Sequence, residues 1–435
     1  MKTEKIISVI LIGIIACSFF AGCGQKSNET TSNDANNKPK TEAEDETKLS
    51  GSIEMWSTFT DIENKVLKEK IVPAFNNKYP NIKVKITPMP GGDDYKKQIL
   101  QACMSGTTPD LARTDITDVA QYAKEDYLAA IDELPNFNEL KDSVFEGPMS
   151  TSYYNGHYYG IPLDTNTKIA IYNKRLLEKA GMKEAPKTMD EFQQLAEKLK
   201  GNKVMGIGIS GIGTWNMAPY FLSLGGKITD KENSKASGFL NSPESVKALE
   251  KIVEWNNNGY VAKSILGGEG SWEGFNAAHY AMIDDGPWWF PANKEQKEVK
   301  DNVIFATIPR GDGGSVSVVG GEDTIIFKAS KNQAQAYAFA KFLASDEAQT
   351  IFATELNMMP VCKETSKKSV VTDNNMMKVY IEQLSTAWAR TPSPAWADID
   401  KAISEAFEKA VRKKAAPQQA LDEAAKKIDE LLKTK

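Results

Sequence analysis

Residues 52–89 constrain the fold more than any other stretch. SIEMW (52–56) alternates like a strand. DIENKVLKEKIVPAFNNKYP (61–80) has helical spacing, kinked or divided at Pro73. IKVKITPM (82–89) alternates again and puts Ile82, Val84 and Ile86 on one face. A strand, a helix and a strand this close together form a βαβ unit, so the two strands are expected to lie parallel.

The same alternation runs on. DYKKQILQACMSG (94–106) reads as a helix and PDLARTD (109–115) as the next strand. KIAIYN (168–173), KVMGIGIS (203–210), HYAMIDDG (279–286), NVIFATIP (302–309) and DTIIFK (323–328) read as further strands. Helices are expected at 174–181, at 188–200 behind a Thr188/Glu191 capping box, and at 242–259 with Pro243 in its first position. Ser330 and Gln333 suggest another capping box before SKNQAQAYAFAKFLA. Near the end, Ile399, Ile403, Phe407 and Val411 share a helical face, followed by Leu421, Ile428 and Leu431. The class is α/β, without repeats of solenoid period.

The start of the chain is of another kind. MKTEK carries two lysines, and Ile6–Phe20 is almost wholly apolar yet short for a membrane span of ~20 residues. That pattern reads as a secretory leader, residues 1–22. It ends in FAGC (20–23), which resembles the bacterial lipoprotein signal and implies lipid on Cys23. Residues 23–50 hold little apolar surface to offset their ordering entropy and read as a flexible tether. A globular body on a leash at the outer face of a cell membrane is expected. Cys103 and Cys362 read as free thiols, with a single bridge as the alternative.

Several chemistries lack their residues. The formal charge is −5 and no long basic run occurs, which argues against nucleic acid. GIGISG (206–211), with Asp230 beyond it, fits the dinucleotide pattern, but its first glycines fall inside the strand-like run rather than at a helix start. It reads instead as a glycine-rich strand end. Two histidines, no G-x-S-x-G and no cluster of ligating residues leave no triad, metal or cofactor site to propose. Asp284 and Asp285 in MIDDGPWWF are strand neighbours, so they point to opposite faces and do not form a catalytic pair with each other; a pair of one of them with a distant carboxylate, such as Asp115 or Asp164, stays open. One of them, Asp285 among the candidates, accepts ligand hydroxyls or braces the turn.

The tryptophans carry more. Trp56 ends the first strand, and Trp215 follows a glycine-rich strand end. Trp272 lies in a polar loop, Trp288 and Trp289 follow a turn, and Trp388 and Trp396 flank TPSP. Rings at the carboxyl ends of strands can stack on the apolar face of a sugar. Trp255, mid-helix, is assigned to packing.

Taken together, these segments resemble the extracellular solute-binding lipoproteins of bacterial sugar ABC importers, the maltose-binding-protein-like group. The resemblance spans nearly all of the mature chain. It rests on SIEMWSTF, VPAFNNKYPNIKV, TTPDLARTD, YGIPLDTNTKIAIYNKRLLEKAG, AAHYAMIDDGPWWF, VGGEDTIIFKASKNQAQAYAFAKFLASDEAQ, MMPVCKE and WADIDKAISEAFEKA. It implies the two-lobed, type II periplasmic-binding fold, each lobe a mixed, mostly parallel sheet flanked by helices, hinged by three crossings near 163–167, 309–317 and 360–366. The lobes would comprise 51–164 with 315–362, and 165–314 with 363–435. It also implies ligand contacts at Trp56, Ser57, Thr58, Asp115, Asp164, Asn166, Trp288, Gly321, Glu322, Asp323 and Trp396.

The expected function is capture of an oligosaccharide by stacking and hydrogen bonds, and its delivery to an ABC permease by a membrane-anchored monomer. The alternatives are a secreted glycosidase and a binder of another solute, such as a polyamine or peptide.

Overall fold

The structure, a computed structural model, describes residues 48–201 and 204–433. The expected leader, Cys23 and nearly all of the tether lie outside the described residues.

The opening unit forms as its periodicity requires. β1 (Gly51–Ser57) and β2 (Ile82–Pro88) pair in parallel along their full length. The helix between them starts at a Thr60/Glu63 capping box. It is divided into Asp61–Val66, a wider π turn at Leu67–Ile71, and Val72–Lys78. Proline has no amide hydrogen and its ring crowds the carbonyl four residues back. The turn before Pro73 therefore widens, and the Val72 amide bonds to Leu67 O five residues earlier.

The remaining strands are β3 (Leu111–Asp115), β4 (Tyr153–Tyr154), β5 (His157–Tyr158), β6 (Gly160–Asn166) and β7 (Ile169–Asn173). They continue with β8 (Met205–Gly208), β9 (Tyr280–Asp285), β10 (Val303–Ala306) and β11 (Gly320–Ile326). One sheet has the order β2-β1-β3-β11-β6 and the other β10-β7-β9-β8, with β4-β5 a separate hairpin. Parallel pairs are β1–β2, β1–β3 and β8–β9. β11 runs antiparallel to β3 and β6, and β7 to β9 and β10. The antiparallel share exceeds what strand–helix alternation implies, because β6, β7 and β11 adjoin the passages between the sheets.

Those passages are zipped together. Only Thr167 and Lys168 separate β6 from β7. Thr167 Oγ1 donates to Val318 O (2.9 Å), and Ser317 Oγ donates to Lys168 O (2.7 Å). Ser317 O accepts from Trp388 N, and Trp388 O accepts from Val319 N, both at 2.8 Å. Thr165 bridges to Met359, which brings in the third passage. The result is a two-lobed α/β body hinged at one bundle of strands.

Each sheet has its own core. Ile53, Met55 and Phe75 anchor the first; Tyr172, Ile207 and Trp255 anchor the second. Ile399, Ile403, Phe407 and Val411 bury their shared face in the second core, joined by Leu421 and Ile428. Trp255 is fully buried, as its mid-helix position suggests, and its Nε1 donates to Gln193 (3.1 Å). A third cluster joins Ile116, Val319 and Met359 to Ile169, Ile283 and Trp289. Cys103 and Cys362 are free.

One expected cap is replaced. Thr188 and Glu191 do form their box. Ser330 does not cap: the helix is Gln333–Leu343 with Asn332 at its N-cap. Ser330 Oγ donates instead to Asp110 Oδ1 (2.6 Å), a carboxylate that also accepts from Asn332 Nδ2 and Glu54 N. The Ser330 oxygen accepts from Asn332 N (3.0 Å), so the hydroxyl ties the turn before the helix to Asp110.

The GIGISG glycines serve packing. A Cβ on Gly206 would stand 2.5 Å from that of Ala196, and one on Gly208 2.3 Å from the Tyr280 ring. The next helix starts only at Thr214. Tyr280 is buried and also packs closely on Gly274, so it has little room to yield. Gly208→Ala is expected to lower stability by about 1–3 kcal/mol, seen as a lower urea midpoint at unchanged slope. An unchanged midpoint would refute the packing role.

Candidate functional site

Strand register sets three carboxylates in a row. Glu322 on β11 lies opposite Asp115 on β3 and opposite Asp164 on β6. Like charges at such positions repel. Arg113 stands two residues before Asp115, hence on the same face of β3, and it relieves the repulsion. Its Nε and Nη2 donate to Asp164 Oδ2 (3.2 and 3.0 Å), Nη2 reaches Glu322 Oε2 (2.8 Å), and Nη1 donates to Thr58 Oγ1 (2.7 Å). The guanidinium also lies over the Phe59 ring, 4.3 Å from its centroid. Burial alone would lower the Arg113 pKa; Asp164 and Glu322 outweigh it and hold the group above its ordinary value. Burial, and then Asp164 beside it, push Glu322 well above the usual carboxylate range despite Arg113. A protonated Glu322 can donate a hydrogen bond as well as accept one.

This row forms one wall of a cavity of ≈ 490 Å³. Thr58, Arg113, Asp115 and Glu322 line it from the first lobe. Trp396 and Asp400, on the helix Trp396–Val411, line it from the side of the second core. The Trp396 ring leans on Trp388, with centroids 6.1 Å apart. Lys96 pairs with Asp118 at the rim. Arg390 spans the gap: Nη2 lies 3.8 Å from Asp115 Oδ1, and its guanidinium is 5.5 Å from the Trp215 ring centroid. Trp215 also receives Lys168 Nζ at 5.9 Å. The cavity therefore offers a flat ring, fixed charges and hydroxyl-matching groups.

The MIDDGPWWF acids point to opposite faces of β9. Asp284 accepts from the Tyr220 hydroxyl (2.7 Å) and pairs with Lys168 Nζ (2.5 Å). Asp285 accepts from Trp272 Nε1 (2.5 Å) and Gly286 N (2.7 Å). Both are buried. Burial raises the Asp285 pKa, opposed by Lys168 and the Trp272 bond. Trp288 is 44% exposed and folds over Gly286, where a Cβ would come 2.2 Å from the ring. Trp289 is fully buried, edge-on to Phe275.

The expected contact residues thus separate into groups. Thr58, Asp115, Glu322 and Trp396 line the cavity, and Asp164 joins through Arg113. Asn166 and Trp215 pack beside Gly320 at the hinge. Trp272, Asp285 and Trp288 form a second cluster at the end of β9. Trp56 lies on the other side of its sheet, against the cluster of Tyr95 and Ile99, and Ser57 is buried with its Oγ accepting from Phe59 N (3.4 Å). Gly321, at φ +129°, packs on the backbone of Asp164 and Thr165. Asp323 alternates away from Glu322 and is fully buried against Gly160. Arg113, Lys168 and Arg390 were not foreseen. A charged residue inside a buried strand, as in LARTD, is the signal for the first, and a lysine at the head of the apolar run KIAIYN for the second; Arg390, in an irregular segment, has none.

Asp323 generates a pH test. Neither carboxyl oxygen has an aligned hydrogen-bond partner among the described residues. Burial, then Asp115 and Asp164, hold it well above the ordinary 3.8, and Thr151 counters only weakly. The folded state thus keeps this proton longer than the unfolded one. The contribution of Asp323 is fully present below pH 3.8 and is lost as pH rises through the folded value. Asp323→Asn is expected to be more stable than the parent near pH 7, on the order of 1–3 kcal/mol, with the gap closing near pH 3.5. Urea midpoints at the two pH values check this; an equal effect at both would refute it.

Comparison with known proteins agrees with this architecture. The family described as "Bacterial extracellular solute-binding protein" matches residues 70–379. An uncharacterised ABC transporter extracellular-binding protein of Pyrococcus horikoshii is 27% identical, over 93% of this chain and 92% of that protein. The arabinooligosaccharide-binding protein of Bacillus subtilis is 24% identical, over 88% and 93%. The crystal structure of the cyclic alpha-maltosyl-1,6-maltose binding protein from Arthrobacter globiformis superposes with a TM-score of 0.79 at 22% identity, over 89% of this chain and 100% of that one. Its two sheets, its hinge and a family match over most of its length place this chain among the bacterial extracellular solute-binding proteins.

Proposed function

We propose that this protein captures an oligosaccharide between its lobes and delivers it to an ABC permease. The observation that carries the reading is the cavity lined from both cores, by Trp396 on one side and by carboxylates organised by Arg113 on the other. Flat rings take the apolar face of a sugar, and carboxyl, amide and guanidinium groups take its hydroxyls. The names of the Bacillus subtilis and Arthrobacter globiformis proteins support a carbohydrate. Trp288, exposed at the end of β9, is a further platform on the second lobe.

The role is binding, not catalysis. Asp284 is committed to Lys168 and Tyr220, and Asp285 to Trp272 and Gly286. Ligand favours the closed form because only that form offers both walls at once. We assign 51–164 with 315–362 to one lobe and 165–314 with 363–435 to the other. The body is a monomer held at the outer face of the membrane by lipid on Cys23, after loss of residues 1–22.

Titration with neutral gluco-, xylo-, arabino- and galacto-oligosaccharides is expected to change tryptophan fluorescence for one class and to release no new reducing ends. Silence across the panel would overturn the sugar reading, and new reducing ends would make the protein a glycosidase. Trp396→Ala is expected to weaken binding of the responding sugar by about 1–3 kcal/mol, measured by calorimetry. Undiminished affinity would remove that ring from the site.

A further inference from the structure

A second cavity, of ≈ 620 Å³, is lined in part by Ala389 and residues 392–394, and Pro394 lines both cavities. Each volume falls in the roughly 300–1,000 Å³ range of small-ligand sites. The two cavities thus adjoin at Pro394. The first is rich in carboxylates. The second is lined by tyrosines and asparagines, with Lys231 and Glu232 balancing in charge.

Its aromatic wall is built with care for rigidity. Tyr153 and Tyr158 face each other across the β4–β5 hairpin, ring centroids 4.9 Å apart. The hairpin turns through Asn155 and Gly156, both at positive φ (+47° and +95°), the two-residue Asn-Gly turn that matches strand twist. Asp132 fastens it to the lobe, accepting from Tyr158 N (3.0 Å) and bonding His157 Nδ1 (3.0 Å). Phe137 and Lys141 hold Tyr158 from other directions (5.1 and 4.9 Å). Tyr153 rests on Tyr158 and stays 42% exposed, one of few large apolar side chains so open among the described residues. Across the cavity, Asn233 Oδ1 accepts from both Thr229 (2.9 Å) and Thr391 (3.1 Å). That orients the amide and leaves its Nδ2 donors for a ligand.

We propose that this compartment is a distal subsite, where Tyr153 stacks on the far units of an oligosaccharide whose near units fill the carboxylate compartment. It rests on the sugar reading above and adds a length requirement to it. A pre-organised ring beside neutral polar groups suits an uncharged sugar ring rather than a cation.

The test is a length series, two to six units, of whichever oligosaccharide the fluorescence panel identifies, measured on the whole protein and on Tyr153→Ala. Affinity in the parent is expected to rise once the chain spans both compartments. Tyr153→Ala is expected to remove that rise, weakening the longest ligand by roughly tenfold and leaving the disaccharide within about twofold. Tyr153→Phe should restore it, and an unchanged unfolding midpoint will show that the exposed ring is not needed for folding. A variant that weakens every length equally, or none, overturns the subsite and leaves the sugar reading standing. Failure of every length to bind overturns both.

Discussion

Lys168 is a fully buried ammonium at the point where the chain leaves one sheet for the other. An isolated charge there would be untenable. It persists because Asp284 pairs with it at 2.5 Å and Asn216 accepts from it at 3.1 Å, while its backbone is bound to Ser317. The pair thus joins β7, β9, the helix Thr214–Ser223 and the second passage at one spot. Losing one partner of such a pair is strongly destabilising, since the survivor is left buried and uncompensated. The hinge and the positions of Trp215 and Arg390 all build on this contact.

The site repeats the logic at another place. Asp115, Glu322 and Asp164 could not share a row without Arg113, which is held in turn by Thr58 and Phe59. Charged groups so constrained are ready for a polar ligand without paying again for reorganisation. The opposing wall is carried by Pro394 and the helix Trp396–Val411, so the cavity draws on residues from two separate cores.

Local signals were legible where local energetics decide. Pro73 divides its helix for a reason contained in its own ring, and Thr188 caps with a glutamate three residues away. The separation of Asp284 from Asp285 follows from strand alternation alone. Ser330 lies outside the helix, which starts at Gln333 behind Asn332, and its hydroxyl is tied to Asp110, more than two hundred residues earlier. Asp323 shows the same limit. Its strand was legible and its neighbour Glu322 reaches the cavity, but a residue's face cannot be chosen until the register of the sheet is known.

By itself the sequence determined the α/β alternation, the helix ends, the packing of Trp255 and the family pattern, because these depend on period and on neighbours a few residues apart. It also presented a supply of rings and acids suited to a polar, flat ligand. Only the tertiary structure decided which of them share a cavity. Trp56 and Trp396 look alike as strand-end and loop tryptophans, yet one packs behind its sheet and the other lines the same cavity as Glu322. The physical reason is that partner choice for Arg113, Lys168 and Arg390 depends on contacts between segments 50 to nearly 300 residues apart. No local pattern encodes those distances; the sheet order and the hinge do.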